Sequence, residues 1–435
     1  MSLFPELPLA LPRSRSEIDQ LQRERKIIAV ERARRSSYWR DKLADIDINK
    51  LDDPEEWRKI PMLSKDDLRN ISSESFYRDF CTVIPEDICE YWRSGGSTGR
   101  PLFYPKTAED LAYNMVGFTR TFECAGVAAG ERVHVSFPLG IHPAGHMWAR
   151  AAEIKNMGSI WAGAGTALPS NVQLDLMQTL KPTVWMGMPS FGLHLANLAQ
   201  AEGIDLPALP IHTILTTAEA VSQAKRDKLE RDWGAAVYDC FGMTEVSMMG
   251  AEGPARDGFH IWTDLAFIEV LDETTGMPVP EGEPGRLVVT SLFSNNAAPF
   301  LRWDSGDIVI YKSEGDSDTP FSVFPVIRHA HRTAGFFKVR GVNINHAEFE
   351  DFMFADPRIN DFKVVVSTND TGLDVFSLIV ELPPNQDRQV VIADVAEKTK
   401  RIFEITADIQ VMETGGIARE FANSVKAPRF VDERM

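Results

Sequence analysis

The stretch Trp92–Pro101, WRSGGSTGRP, sets Gly95, Gly96 and Gly99 among the hydroxyl side chains of Ser94, Ser97 and Thr98. Glycines let a backbone turn its amides inward without Cβ clashes, and the hydroxyls add donors. That chemistry suits a loop closing over phosphate oxygens. It is not a Walker loop, because GxxxxGK[ST] is absent, and the GAG at Gly163 lacks the third glycine of the dinucleotide fingerprint. Taken alone, the segment also fits a Gly/Ser surface turn. His142 and His146 stand four residues apart, a spacing that invites zinc. Pro143 and Gly145 argue against a helix there, and no cysteine lies beside the pair, so no metal is expected at that point.

Further segments follow in a defined order. They are IPMLSKDDLR at Ile60–Arg69, TTAEAVS at Thr216–Ser222, DCFGMTE at Asp239–Glu245, LRWDSGD at Leu301–Asp307, RTAGFFKVRGVNINHAEFE at Arg332–Glu350 and SVKAPRFVD at Ser424–Asp432. With SGGSTGRP, they resemble the adenylate-forming ligases and, within them, the phenylacetate–coenzyme A ligase family over essentially the whole chain. The resemblance implies that ATP activates a small carboxylic acid as acyl-AMP, and that the acyl group then passes to the thiol of coenzyme A. ATP, magnesium and coenzyme A are the expected cofactor and co-substrates.

The same resemblance assigns residues. Ser94, Gly95, Gly96, Ser97, Thr98 and Gly99 look like the phosphate loop. Ala218, Glu219 and Ala220, with Asp239, Cys240, Phe241, Gly242 and Met243, look like the adenine-binding elements. Glu245, beside Thr244, would hold magnesium, an ion that prefers one or two carboxylates with water and phosphate; the plain alternative is a solvated loop glutamate. Asp307 would accept two hydrogen bonds from the ribose diol, or else only cap a turn. Asp239 would face the adenine amino group, or else sit exposed at a strand end. Arg332 would bind ribose or phosphate with its guanidinium fork. Lys426 is the residue expected to neutralise charge at the α-phosphate, although a lysine near a C-terminus is commonly a solvated side chain. Arg340 and Gly341 would border the thiol channel.

Two positions depart from the family pattern: Ala334 stands where an acidic hinge residue is usual, and Val425 stands where a glycine usually precedes the lysine. The acid itself is expected to be small and aromatic, against Phe137, His142, His146, Trp148, Met188 and Phe191, residues that equally suit a core. The open alternatives are a carrier-protein thiol or another acceptor, such as an amine or a deazaflavin phenol, and a nucleotide-binding regulator without turnover.

These groups need an α/β scaffold. Apolar runs at Val133–Phe137, Val184–Met188, Thr213–Thr217 and Ala236–Cys240 alternate with helical stretches, and a charged helix is expected from Ser16 to about Leu43. After Gly258, the runs Phe267–Leu271, Arg286–Leu292 and Asp307–Tyr311 follow without helices between them, predicting a β-rich subdomain. Beyond residue 332, a short strand, a helix from His346, paired strands, a helix over Asp387–Phe403 and a strand at Asp408–Met412 predict a small mobile α+β domain. The expected division is therefore 1–331 and 332–435. With 435 residues, more than one core is expected. The formal charge of −17 speaks against coating nucleic acid or anionic membranes. The four cysteines, Cys81, Cys89, Cys124 and Cys240, show no paired spacing and read as reduced core thiols of a cytoplasmic protein. No membrane span is expected, and a homodimer is compatible with the sequence.

Overall fold

The computed structural model describes residues 6–93, 103–165, 167–315, 318–331, 336–340, 342–369, 373–383, 386–417 and 429–434. Its strands are β1 (Ile88–Arg93), β2 (Phe103–Thr107), β3 (Arg132–Val135), β4 (Gly158–Trp161), β5 (Val184–Gly187), β6 (Thr213–Thr216), β7 (Ala236–Met243), β8 (Ser247–Glu252), β9 (Phe259–Ile261), β10 (Ala266–Leu271), β11 (Pro284–Ser291), β12 (Trp303–Lys312), β13 (Val326–His331), β14 (Phe336–Val339), β15 (Val342–Asn345), β16 (Asp361–Thr368), β17 (Asp374–Glu381), β18 (Asp408–Met412) and β19 (Phe430–Asp432). The longer helices are α1 (Arg15–Ala33), α2 (Ala108–Cys124), α3 (Pro143–Ile154), α4 (Ser170–Leu180), α5 (Pro189–Glu202), α6 (Gln223–Trp233), α7 (His346–Phe354) and α8 (Arg388–Phe403). No helix among the described residues is long and apolar enough to cross a membrane.

One compact unit comprises Met1–Gly130, Leu139–Ser159 and Tyr238–Thr333. Its β7 to β13 run is antiparallel throughout, in the order β10-β11-β12-β13-β9-β8-β7. Its β10, β11 and β12 are the three strands expected after Gly258 with no helix between them. Phe76, Phe80, Tyr104 and Phe300 interlock at its core, with ring centroids 5.3 Å apart for Phe76–Phe80 and 5.6 Å for Tyr104–Phe300. The helix expected over Ser16–Leu43 stops at Ala33. Ser36 is extended and buried, and its hydroxyl donates to the Asp79 carbonyl at 2.8 Å. The bend lets Trp39 drop into the core, where its indole N–H donates to the Pro299 carbonyl at 3.1 Å. The helix doubted at His142–His146 exists as α3, because Pro143 occupies its first turn, where a missing N–H costs nothing.

The other unit comprises Glu131–Pro138, Ile160–Val237 and Ala334–Met435. Strands β3, β5 and β6 pair in parallel, and every residue of β5 and β6 is buried, as uninterrupted apolar strands covered on both faces should be. The residues beyond 334 form their own sheet, β18-β17-β16-β19, with α7 and α8. They share this compact unit with 131–138 and 160–237. A buried polar network ties them there: Arg429 donates to Asp361 at 2.8 and 3.2 Å, Asn197 of α5 donates to the same carboxylate at 3.0 Å, and Lys225 of α6 pairs with Glu350 at 2.7 Å.

Candidate active site

In the first unit, the DCFGMTE segment is the end of β7 and its turn into β8. Gly242 has no room for a side chain, since a Cβ there would lie 2.7 Å from the Ser247 carbonyl oxygen. The turn presents half-buried Thr244 and then Glu245, which is only 6% exposed. Glu245 is therefore not a solvated loop residue. Tyr104 of β2 donates its hydroxyl to Glu245 Oε1 at 3.0 Å, and Lys106 donates to the Glu245 carbonyl at 3.3 Å. Lys106 is itself buried, which lowers the pKa of its ammonium, a shift opposed by Asp110 and Glu245. Neither Tyr104 nor Lys106 was singled out from the sequence. Their signal is the FYPK run directly after the glycine loop, an alternation in which Tyr104 and Lys106 share a strand face.

Asp239 and Asp307 are also buried. The Asp239 amide donates to Glu252 at 2.8 Å, so the exposed strand-end alternative does not hold. At β12, Val288 pairs with Asp304 and Arg286 with Ile308, leaving extra residues bulged on β12. The turn-capping acid is Asp304, which accepts from the Gly306 amide at 3.1 Å, and Asp307 is the last residue of the bulge. The IPMLSK segment anchors this strand: Arg302 donates to the Ile60 carbonyl at 2.8 Å, and the Asp304 amide to the Leu63 carbonyl at 2.8 Å.

Beside the start of the glycine loop, Glu90 of β1 accepts from the Trp92 indole at 2.9 Å, contacts His146 at 3.2 Å and pairs with Arg150 at 2.5 Å. Burial alone would raise the Glu90 pKa, but the bonds from His146, Arg150 and Trp92 outweigh it and hold the carboxyl at about 2. His142 reaches the Arg93 carbonyl at 3.0 Å. The two histidines thus serve β1, and no group of three or more metal-ligating side chains occurs among the described residues. Trp148 is fully buried, its indole bonded to Thr121 at 3.0 Å and its ring edge-on to Phe118, so it packs the core.

In the second unit, Phe137, Met188 and the Ala218–Ala220 segment each follow the C-terminal end of a parallel strand, β3, β5 and β6 respectively. Open α/β sheets bind ligands at those ends. Ala218 adopts a φ of 71°, and Glu219 accepts from the Ser190 amide at 3.0 Å and hydroxyl at 2.7 Å. Phe191 stacks on His194 at 5.4 Å. Arg340 donates to the Asp374 carbonyl at 2.8 Å. Ser94–Gly99, Arg332, Gly341 and Lys426 lie outside the described residues. Among the cysteines, Cys81, Cys124 and Cys240 are buried, as expected of core thiols, and burial pushes the Cys81 thiol up to about 12. Cys89 is exposed, because β1 turns it outward.

Residues 13–293 match the family model for AMP-binding enzymes. The chain belongs to the AMP-binding enzymes. It is 28% identical to a phenylacetate–coenzyme A ligase of Thermus thermophilus over 88% of this chain and 84% of that protein. It is 25% identical to the phenylacetate–coenzyme A ligase of Aromatoleum evansii over 86% of this chain and 84% of the relative. The fold is shared with a 2-hydroxyisobutyryl-CoA ligase solved in the postadenylation state with R3-HIB-AMP, at a TM-score of 0.81 and 22% identity over 99% of this chain and 95% of that one. The resemblance drawn from the ordered motifs, to adenylate-forming enzymes and phenylacetate–coenzyme A ligases in particular, is thereby upheld.

Proposed function

We propose that this AMP-binding enzyme is an AMP-forming acid–coenzyme A ligase acting on a small aromatic carboxylic acid. The carrying observation is Glu245: a buried carboxylate held by Tyr104 beside Thr244, on a hairpin that only glycine at 242 permits. One fixed carboxylate and a hydroxyl suit magnesium, which keeps water and phosphate in its shell and, when bound, offsets phosphate charge. Asp307 would hold the ribose diol, and Asp239 with Ala218–Ala220 the adenine. In the first step, a substrate carboxylate oxygen bonds to the α-phosphorus and pyrophosphate leaves. Lys426 would stabilise the charge that develops there. In the second step, the coenzyme A sulfur bonds to the acyl carbon and AMP leaves. The segment beyond residue 332 would move between the steps, carrying Lys426 away and bringing Arg340 and Gly341 to the thiol. A cytoplasmic setting suits both co-substrates.

An aromatic acid is favoured by Phe137, Met188 and Phe191, which are buried at or just beyond the C-terminal ends of β3 and β5. Pyrophosphate exchange into ATP, screened over phenylacetate, benzoate and short aliphatic acids, tests this reading. Exchange that depends on an aromatic acid supports it, and exchange with no acid, or equally with all, overturns it. Multi-turnover AMP release on adding coenzyme A separates this acceptor from a carrier-protein thiol.

A further inference from the structure

None of the residues assigned above lines a cleft of about 440 Å³ between α1 and β10. Ile18, Leu51, Trp57, Phe267, Val270 and Val279 make it largely apolar, and its volume falls in the range of small-molecule sites. Lys26 also lines it, although the residue is only 8% exposed. Its ammonium lies 3.4 Å from the Phe267 ring centroid and 4.8 Å from that of Trp57.

Of the acids lining the cleft, Asp19 is exposed, and Asp52 and Glu269 are engaged elsewhere. Glu269 receives two bonds from Arg302, at 2.9 and 3.1 Å, and one from the Trp57 indole at 3.0 Å. Asp52 lies 3.9 Å from Arg23. The neighbouring cations are paired as well, Arg15 with Glu314 at 3.7 Å and Arg58 with Glu55. Among the described residues, Lys26 forms no ion pair or hydrogen bond. The ammonium faces the cleft with aromatic rings as its nearest partners, a contact that leaves it open to an anion. Burial lowers its pKa to about 8, with Asp52 and Glu269 opposing the shift.

We propose that this cleft binds a small amphipathic carboxylate, its flat apolar body against Trp57 and the aliphatic floor and its charge on Lys26. The volume admits such a molecule, and the unpaired ammonium favours an anion over a neutral analogue. Calorimetric titration of the full chain with 2-naphthoate tests the proposal. Lys26→Met should weaken one binding event at least tenfold, Lys26→Arg should retain it, and methyl 2-naphthoate should not bind there. Neither variant should change acid-dependent pyrophosphate exchange. In the unaltered protein, 2-naphthoate should slow acetic anhydride labelling of Lys26, read by peptide mass spectrometry. Unchanged binding in Lys26→Met, equal binding of the methyl ester, or unprotected labelling of Lys26 would overturn it.

Discussion

Replacing Asp361 with Ala removes the acceptor shared by Arg429 and Asn197 while leaving Arg429 in place, with a side chain only 3% exposed. The lost contacts are two guanidinium bonds at 2.8 and 3.2 Å, the Asn197 amide bond at 3.0 Å and the bond from the Phe362 backbone amide at 2.8 Å. Glu350, 3.9 Å from Arg429, is a distant substitute. Stranding a buried charge in this way typically costs about 3–5 kcal/mol, and the residual Glu350 pair places the expectation near about 3 kcal/mol. The double variant Asp361→Leu with Arg429→Met removes both charges and should recover most of that loss, since replacing a whole buried pair by apolar groups is often neutral. Urea unfolding gives the global loss, and hydrogen exchange along α5 and β16 locates it. A single-variant cost below about 1 kcal/mol, or a double variant as damaged as the single, would refute the reasoning.

Four further outcomes are expected. Tyr104→Phe should slow acid-dependent pyrophosphate exchange about tenfold or more, the worth of one hydrogen bond to a charged group of about 1.5–3 kcal/mol, without unfolding the chain by circular dichroism. Lys426→Ala should lower that exchange by about 10² to 10³ while preserving thioester formation from supplied acyl-AMP, so equal loss of both would contradict its role. Gly242→Ala should destabilise the chain by about 1–3 kcal/mol in urea titrations, because the new methyl meets the Ser247 carbonyl. Glu90 has a depressed folded-state pKa, so its contribution is full above the ordinary glutamate range and fades as pH falls from about 4.5 towards about 2. Glu90→Gln should remove that part of the acid limb in urea midpoints measured against pH.

Secondary structure was most legible where one periodicity held without interruption. The strand expected at Asp408–Met412 spans those residues, and α8 starts one residue after Asp387, whose carboxylate caps it. The end of α1 was hidden because nothing local marks it: the chain leaves the helix to seat Trp39 under Pro299, a contact between residues far apart in sequence. The same limit applies to the site. Glu245 and Asp307 were legible by motif, but their burial was not, since it depends on β2 crossing to Glu245 and on the register shift between β11 and β12 that contains Asp307. Tyr104 and Lys106 went unnoticed because the alternation in FYPK, their only local signal, does not say which residue the shared strand face meets until Glu245 is placed against it. Proline at 143 misled in the opposite direction, being read as a breaker where it is a starter.

Helix α5 begins at Pro189, and its N-cap Met188 offers no side-chain bond to its first amides. A carboxylate from the TTAEA segment, Glu219, does so instead, from 29 residues downstream of Ser190. The opening turn of a structural helix is therefore soldered to the segment that follows β6. If the proposed adenine site draws Glu219 aside when filled, that turn should loosen, and the exchange rate of the Ser190 amide should report occupancy.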